Sequence, residues 1–233
     1  MAAPTTSTTY NFKLDILQIC EEAYERAGIE MRTGYDLRSA RRSMQIMLLD
    51  WVNRGLNLWT VTEGKIDLVS GTKTYDLDDS AIDVLDAVIR TDPGVATQAD
   101  YNLTRLSVSS YAQTSNKNTS ARPTSMYVDR QNRTSVTLYP EPNDSTQDFV
   151  YWYVRRIKDL GDSTNNADMP ERFMPALIAG LAFNIALKRP ELESRIPTLK
   201  ALYEESYELA ASEDRTKASL VFTPLQEFID VAL

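Results

Sequence analysis

Carboxylates are the side chains best placed to do chemistry in this 233-residue chain, and Glu21, Glu22 and Glu25 are a tight local group of them. Two acids about 5–10 Å apart across a cleft would suit a carboxylate-based hydrolase, for example one acting on cell-wall glycans. At helical spacing these three share one helix surface instead of opposing each other, the usual arrangement of a solvated face. Histidine is absent, which removes Ser-His-Asp and Cys-His nucleophile systems, HExxH zinc sites and phosphohistidine chemistry. The single cysteine, Cys20, supports no disulfide and no cysteine-cluster metal site. Among Leu17, Ile19, Ala23 and Tyr24 it reads as a buried structural thiol. Neither GxxxxGK(S/T) nor GxGxxG occurs, so no phosphate-cradling loop is expected. An enzyme built from this chain would have to run on carboxylates, lysine or tyrosine.

Two further groups invite a binding role. Tyr151, Trp152 and Tyr153 would make a stacking platform for a carbohydrate- or protein-binding β module. In a strand they alternate, so Trp152 points away from the two tyrosines, and one side belongs to the core. Arg38, Arg41 and Arg42 lie opposite an apolar helical stripe and read as a solvated face. The formal charge of −8 argues against a phosphate-gripping clamp on nucleic acid.

The elements that must position these groups follow from periodicity. With 42% apolar residues the chain can bury a core without disulfides or metals, as one large domain or two small ones. Residues 1–10 lack the basic and apolar regions of a secretory signal and read as a mobile arm. Phe12 to Ala27 follow a 3.6-residue period, with Gly28 at the left-handed cap. A second helix is expected from Tyr35-Asp36, with Asp36 as N-cap, to Gly55. After Trp59 the period falls to about two. Lys65 to Leu77 reads as a hairpin closed at Ser70-Gly71-Thr72, and a short helix starts on Ser107. Strands are expected at Met126–Arg130, Ser135–Tyr139 and Asp148–Arg156, the first two joined at 131–134.

The last third returns to helix. Pro170 opens a segment whose body, Met174 to Leu187, is apolar on all sides and must be buried. The final helix, about Glu191 to Glu213, carries an acidic outer face: across Glu191 to Asp214 there are seven acids against Arg195 and Lys200. The fold class expected is α+β. Residues 1–58 and 159–214 would form a discontinuous helical bundle, 59–158 an inserted antiparallel β-rich region, and 215–233 an extended C-terminal arm. That arm places Leu220, Phe222, Leu225, Phe228, Ile229 and Leu233 on a chain end, where they either fold back or dock on a partner.

In this order the segments resemble the head-to-tail adaptor (connector) proteins of tailed phages, the portal-binding ring of short-tailed-phage type. The resemblance rests on Leu49-Asp50-Trp51-Val52-Asn53-Arg54-Gly55-Leu56-Asn57-Leu58-Trp59, on Thr74-Tyr75-Asp76-Leu77, and on Ile82 to Val88. It continues through Arg122-Pro123-Thr124-Ser125-Met126-Tyr127-Val128 into Val136 to Pro142, and ends on Met169-Pro170-Glu171-Arg172-Phe173 with the apolar helix. It spans roughly residues 11–214. Asp78 stands where the family pattern has a proline.

The resemblance implies a virion structural protein at the head–tail junction, assembled in the host cytoplasm, with no membrane association; it is expected not to be an enzyme, with no catalytic residue, no metal and no cofactor. It implies a homo-oligomeric ring, usually dodecameric, between the portal protein and a tail or nozzle protein. Such a ring helps retain packaged DNA and offers the tail an attachment platform. Genomic DNA passes through its channel without sequence-specific binding, and acids such as Glu204, Glu205 and Glu208 are candidates to face that channel. In several relatives a C-terminal arm reaches the portal, and Ala218 to Leu233 is the corresponding candidate here.

Overall fold

The computed structural model describes residues 12, 14–54, 58–131, 133–162 and 164–214. The first helix, α1 (Ile16–Ala27), begins later than its apolar period, because Asp15 and Gln18 close a capping box. Asp15 Oδ1 accepts the Gln18 N–H at 2.8 Å, and Gln18 Oε1 accepts the Asp15 N–H at 3.1 Å. Gly28 ends the helix at φ 92°, as the sequence indicates. Its missing Cβ also leaves room for the Arg195 guanidinium, which donates to the Ala27 carbonyl at 3.2 Å.

The second helix, α2 (Gly34–Asn53), corrects one expectation. Thr33, not Asp36, is the N-cap, and Asp36 is the third helical residue of a reciprocal box. Asp36 therefore turns its carboxylate back over the helix start, where it is largely buried. Gly55, expected to stop this helix, lies outside the described residues.

Eight strands and a short helix follow. The first sheet is all antiparallel, in the order β1 (Val61–Asp67), β8 (Asp148–Arg155), β3 (Ala81–Thr91), β4 (Ala99–Asn102). The second runs β2 (Thr74–Asp76), β7 (Ser135–Tyr139), β6 (Ser125–Asp129), β5 (Thr104–Leu106), antiparallel except for the parallel β5–β6 pair. The expected hairpin over Lys65–Leu77 is not formed. Its turn is real, with Gly71 at φ 81° and the Thr72 N–H on the Val69 carbonyl at 3.0 Å. Its arms, however, belong to different sheets, with Lys65 opposite Val150 and Tyr75 opposite Val136. The hairpin across 131–134 is present as expected. So is α3 (Val108–Gln113), capped by Ser107.

Two 3-10 turns, Glu171–Phe173 and Pro190–Arg195, lead into α4 (Met174–Ala186) and α5 (Ile196–Glu213). α4 is the helix apolar on all sides, and it packs against α1, α2 and α5. The chain is thus α+β with mainly antiparallel sheets. One hydrophobic cluster gathers the four long helices with Leu160 and Phe173, and a second lies between the sheets around Leu77, Ile89, Leu138 and Phe149. Bulk at Gly180 is excluded: a Cβ there would lie 2.5 Å from Met47 Sδ and 2.7 Å from Tyr203 Cε2. No helix among the described residues is long and apolar enough to cross a membrane.

Candidate functional site

The groups with chemical potential separate rather than converge. Glu21, Glu22 and Glu25 lie along α1, with Glu22 paired to Arg26 at 2.7 Å. Burial pushes the Cys20 thiol up to about 12, aided by Glu21 and opposed by Arg41, so it is held as an inert apolar side chain. Tyr151 and Tyr153 are buried between the sheets, Tyr151 stacked on Phe149 with Tyr153 tilted against it, while Trp152 takes the opposite face as the alternation requires. No group of three metal-ligating side chains is found among the described residues.

What the chain does build is a set of polar clasps holding the helices in register. Asp36 accepts from the Thr33 hydroxyl at 2.9 Å and the Thr33 N–H at 3.1 Å, and pairs with Arg189 at 2.8 Å. The Thr33 hydroxyl above all, with the Arg32 and Thr33 N–H groups and Arg189, outweighs desolvation and holds the Asp36 carboxyl below its ordinary range. Lys188, just past α4, donates to Ser43 Oγ at 2.5 Å and Ser39 Oγ at 3.1 Å. Desolvation, then the nearby Arg42 charge, lower its pKa. These side chains floor an open cavity of ≈ 850 Å³ between the α1–α2 turn and the end of α4. A second clasp, Arg155 on Asp168 at 2.5 and 3.0 Å, ties β8 to the segment preceding α4.

The larger surfaces are helix faces. On α2, Tyr35, Arg38, Arg42, Ile46 and Leu49 all point outward, Ile46 and Leu49 being 65% and 67% exposed. Arg41 is set apart from them: its guanidinium bonds the Gly161 carbonyl. A more apolar groove of ≈ 700 Å³ runs beside Leu48, Leu49 and Val52, walled by Ile82 and Ile157. On α5, Leu202, Glu205, Glu208 and Leu209 point outward, Leu209 being 73% exposed.

The residues expected to bind a partner, Leu220, Phe222, Leu225, Phe228, Ile229 and Leu233, lie outside the described residues. The apolar exposure of α2 was not anticipated. Its signal was present in Ile46 and Leu49, which fall on the arginine side of the helix and not with Met44, Met47 and Leu48.

These features define an α+β protein whose prominent surfaces are exposed helix faces. The family model of the SU10 adaptor protein matches residues 26–225, and the chain belongs to that family. The match agrees with the resemblance to phage head-to-tail adaptors; it covers the whole cluster between the sheets and the helical cluster from Ala27 onward. No curated protein matches the chain.

Proposed function

We propose that this chain is the subunit of a head-to-tail adaptor ring, a structural component of the virion between the portal protein and the tail or nozzle protein. The observation that carries this reading is the family match over residues 26–225. The role is mechanical: a closed ring, dodecameric in the related adaptors, extends the portal channel, helps retain packaged DNA and presents a platform to the tail. We divide the subunit into a helical part (1–58 and 159–214) and a β-rich insertion (59–158). The final segment, 215–233, is the portal anchor, with Leu220, Phe222, Leu225, Phe228, Ile229 and Leu233 as apolar contacts. A net charge of −8 suits a channel that lets DNA slide, because basic linings would hold its phosphates.

Co-sedimentation with the portal ring encoded beside this chain tests the reading, comparing full-length protein with a form ending at Arg215. Binding by the full chain and loss on truncation is the expected result. Binding by both forms keeps the adaptor role and removes the anchor. Binding by neither overturns the role.

A further inference from the structure

On α2, residues 35, 38, 42, 46 and 49 fall within an arc of about 100°. That arc faces away from the core residues Ala40, Met44, Met47, Leu48 and Trp51. A solvated helix face would be polar and mixed in charge. This one reads Tyr, Arg, Arg, Ile, Leu and, at its end, Asn53, and neither Arg38 nor Arg42 has a carboxylate partner among the described residues. On α5, Leu202, Glu205, Glu208 and Leu209 occupy an arc of about 120°, shared with the small residues Thr198, Ala201 and Ser212 and turned away from Leu199, Tyr203 and Ala210. On that helix Lys200 pairs with Glu204, and among the described residues neither Glu205 nor Glu208 has a cation partner.

The two stripes complement each other in order as well as in sign. Each places two like charges between apolar anchors: Tyr35, then Arg38 and Arg42, then Ile46 and Leu49; and Leu202, then Glu205 and Glu208, then Leu209. At 1.5 Å per residue the two arginines are about 6 Å apart along their helix and the two glutamates about 4.5 Å along theirs, close enough to match when helices pack. Within one subunit both stripes turn outward, so neither can satisfy the other.

We infer that the α2 stripe of one copy docks on the α5 stripe of the next, forming the repeating subunit–subunit contact. This rests on the ring reading above and names the surfaces that close it. The occupant is a second copy because the same chain supplies both complementary halves. A stripe packed about a two-fold axis on its own copy would set arginine on arginine or glutamate on glutamate, whereas α2 against α5 sets arginine on glutamate. A head-to-tail contact between unlike faces is the kind that generates rings. Ile46, Leu49, Leu202 and Leu209 supply the apolar burial, and the four charges set register and direction.

The test is charge exchange in the full chain. One variant carries Arg38→Glu with Arg42→Glu, a second Glu205→Lys with Glu208→Lys, and a third all four. Copies per assembly are counted by native mass spectrometry, free and on the portal ring, with thermal melting as a check on folding. Each two-site variant should weaken self-association by about tenfold or more, and the four-site variant should restore it, since every copy then presents both reversed faces. Wild-type association should also weaken as salt rises from about 0.1 M to about 1 M. Loss without recovery, no loss, or a wild type monomeric in both settings would overturn the interface. If the portal still captures the chain in those cases, the adaptor reading stands. Intact self-association with charge exchange but no portal capture would keep the interface and remove that reading.

Discussion

The indole N–H of Trp51 donates to the Tyr203 hydroxyl at 2.8 Å, with both side chains buried where α2 meets α5. Arg54 lies over the rings of Tyr203 and Tyr207, 5.4 and 5.0 Å from their centroids, and closes the site toward solvent. Helices from the two ends of the sequence are thus joined by one directional bond inside an aromatic cluster. Tyr203→Phe would keep the ring packing and strand the indole N–H. Equilibrium urea unfolding should show a loss of about 1–3 kcal/mol, the usual penalty for a buried unsatisfied donor. Trp51→Phe, which removes the donor and leaves a smaller ring, should lose stability through a void against Phe173 instead.

Gly180→Ala tests the tightness of the α4 contact. The new methyl would enter space held by Met47 and Tyr203. Higher helix propensity favours alanine by about 1 kcal/mol, while overpacking costs about 1–3 kcal/mol. Rigid Tyr203 should decide the balance. The variant is expected to melt lower than wild type, and a higher melting temperature would show that α5 shifts freely.

Acid should loosen the link between β8 and the helical part. Burial alone would raise the Asp168 pKa, but the Arg155 bonds, the Lys158 N–H at 3.0 Å and the charges of both residues outweigh it and lower it from 3.8. A lowered folded-state pKa gives stability that is present above the unfolded value and lost as pH falls through the folded one. Wild-type stability should therefore decline as pH drops below about 4. Asp168→Asn should be less stable at neutral pH and decline less steeply in acid, as followed by denaturant midpoints across the pH range.

Cys20 reports on global opening. Completely buried and with its thiol pushed up to about 12, it should resist thiol reagents in the folded protein. Labelling should proceed at the unfolding rate and accelerate with denaturant. Rapid labelling of native protein would mean that α1 detaches locally.

The features legible in the sequence are those with local causes. Gly28 ends α1 because a left-handed cap needs glycine within one turn of the helix, and Ser107 starts α3 by reaching the N–H of Ser110. The α4 body was legible because a segment apolar on every face has one solution. The hairpin expectation failed because a turn fixes direction but not partners: Gly71 reverses the chain, yet Ile66 finds Phe149 more than eighty residues away. β4 and β5 are short and mostly exposed, so they carry little apolar signal, and both were missed. Asp36 was misplaced because Thr33 and Asp36 are both good cap residues and only the reciprocal box distinguishes them. The arginines of the α2 stripe suggest a solvated face, although Ile46 and Leu49 share their side.

α1 ends at Ala27, and the helix on which it packs, α4, begins only at Met174. A ribosome delivering this chain therefore releases α1 and α2 long before their principal support exists. The whole β-rich stretch emerges in between, with its own hydrophobic cluster complete by Tyr153. The order of synthesis makes that cluster the first part able to consolidate, while the leading helices wait with their apolar sides in water. Completion of the helical layer is a late event, timed by the arrival of α4. Until then the nascent chain is a sticky intermediate, for which nascent-chain chaperones and slow, cool expression offer the natural protection.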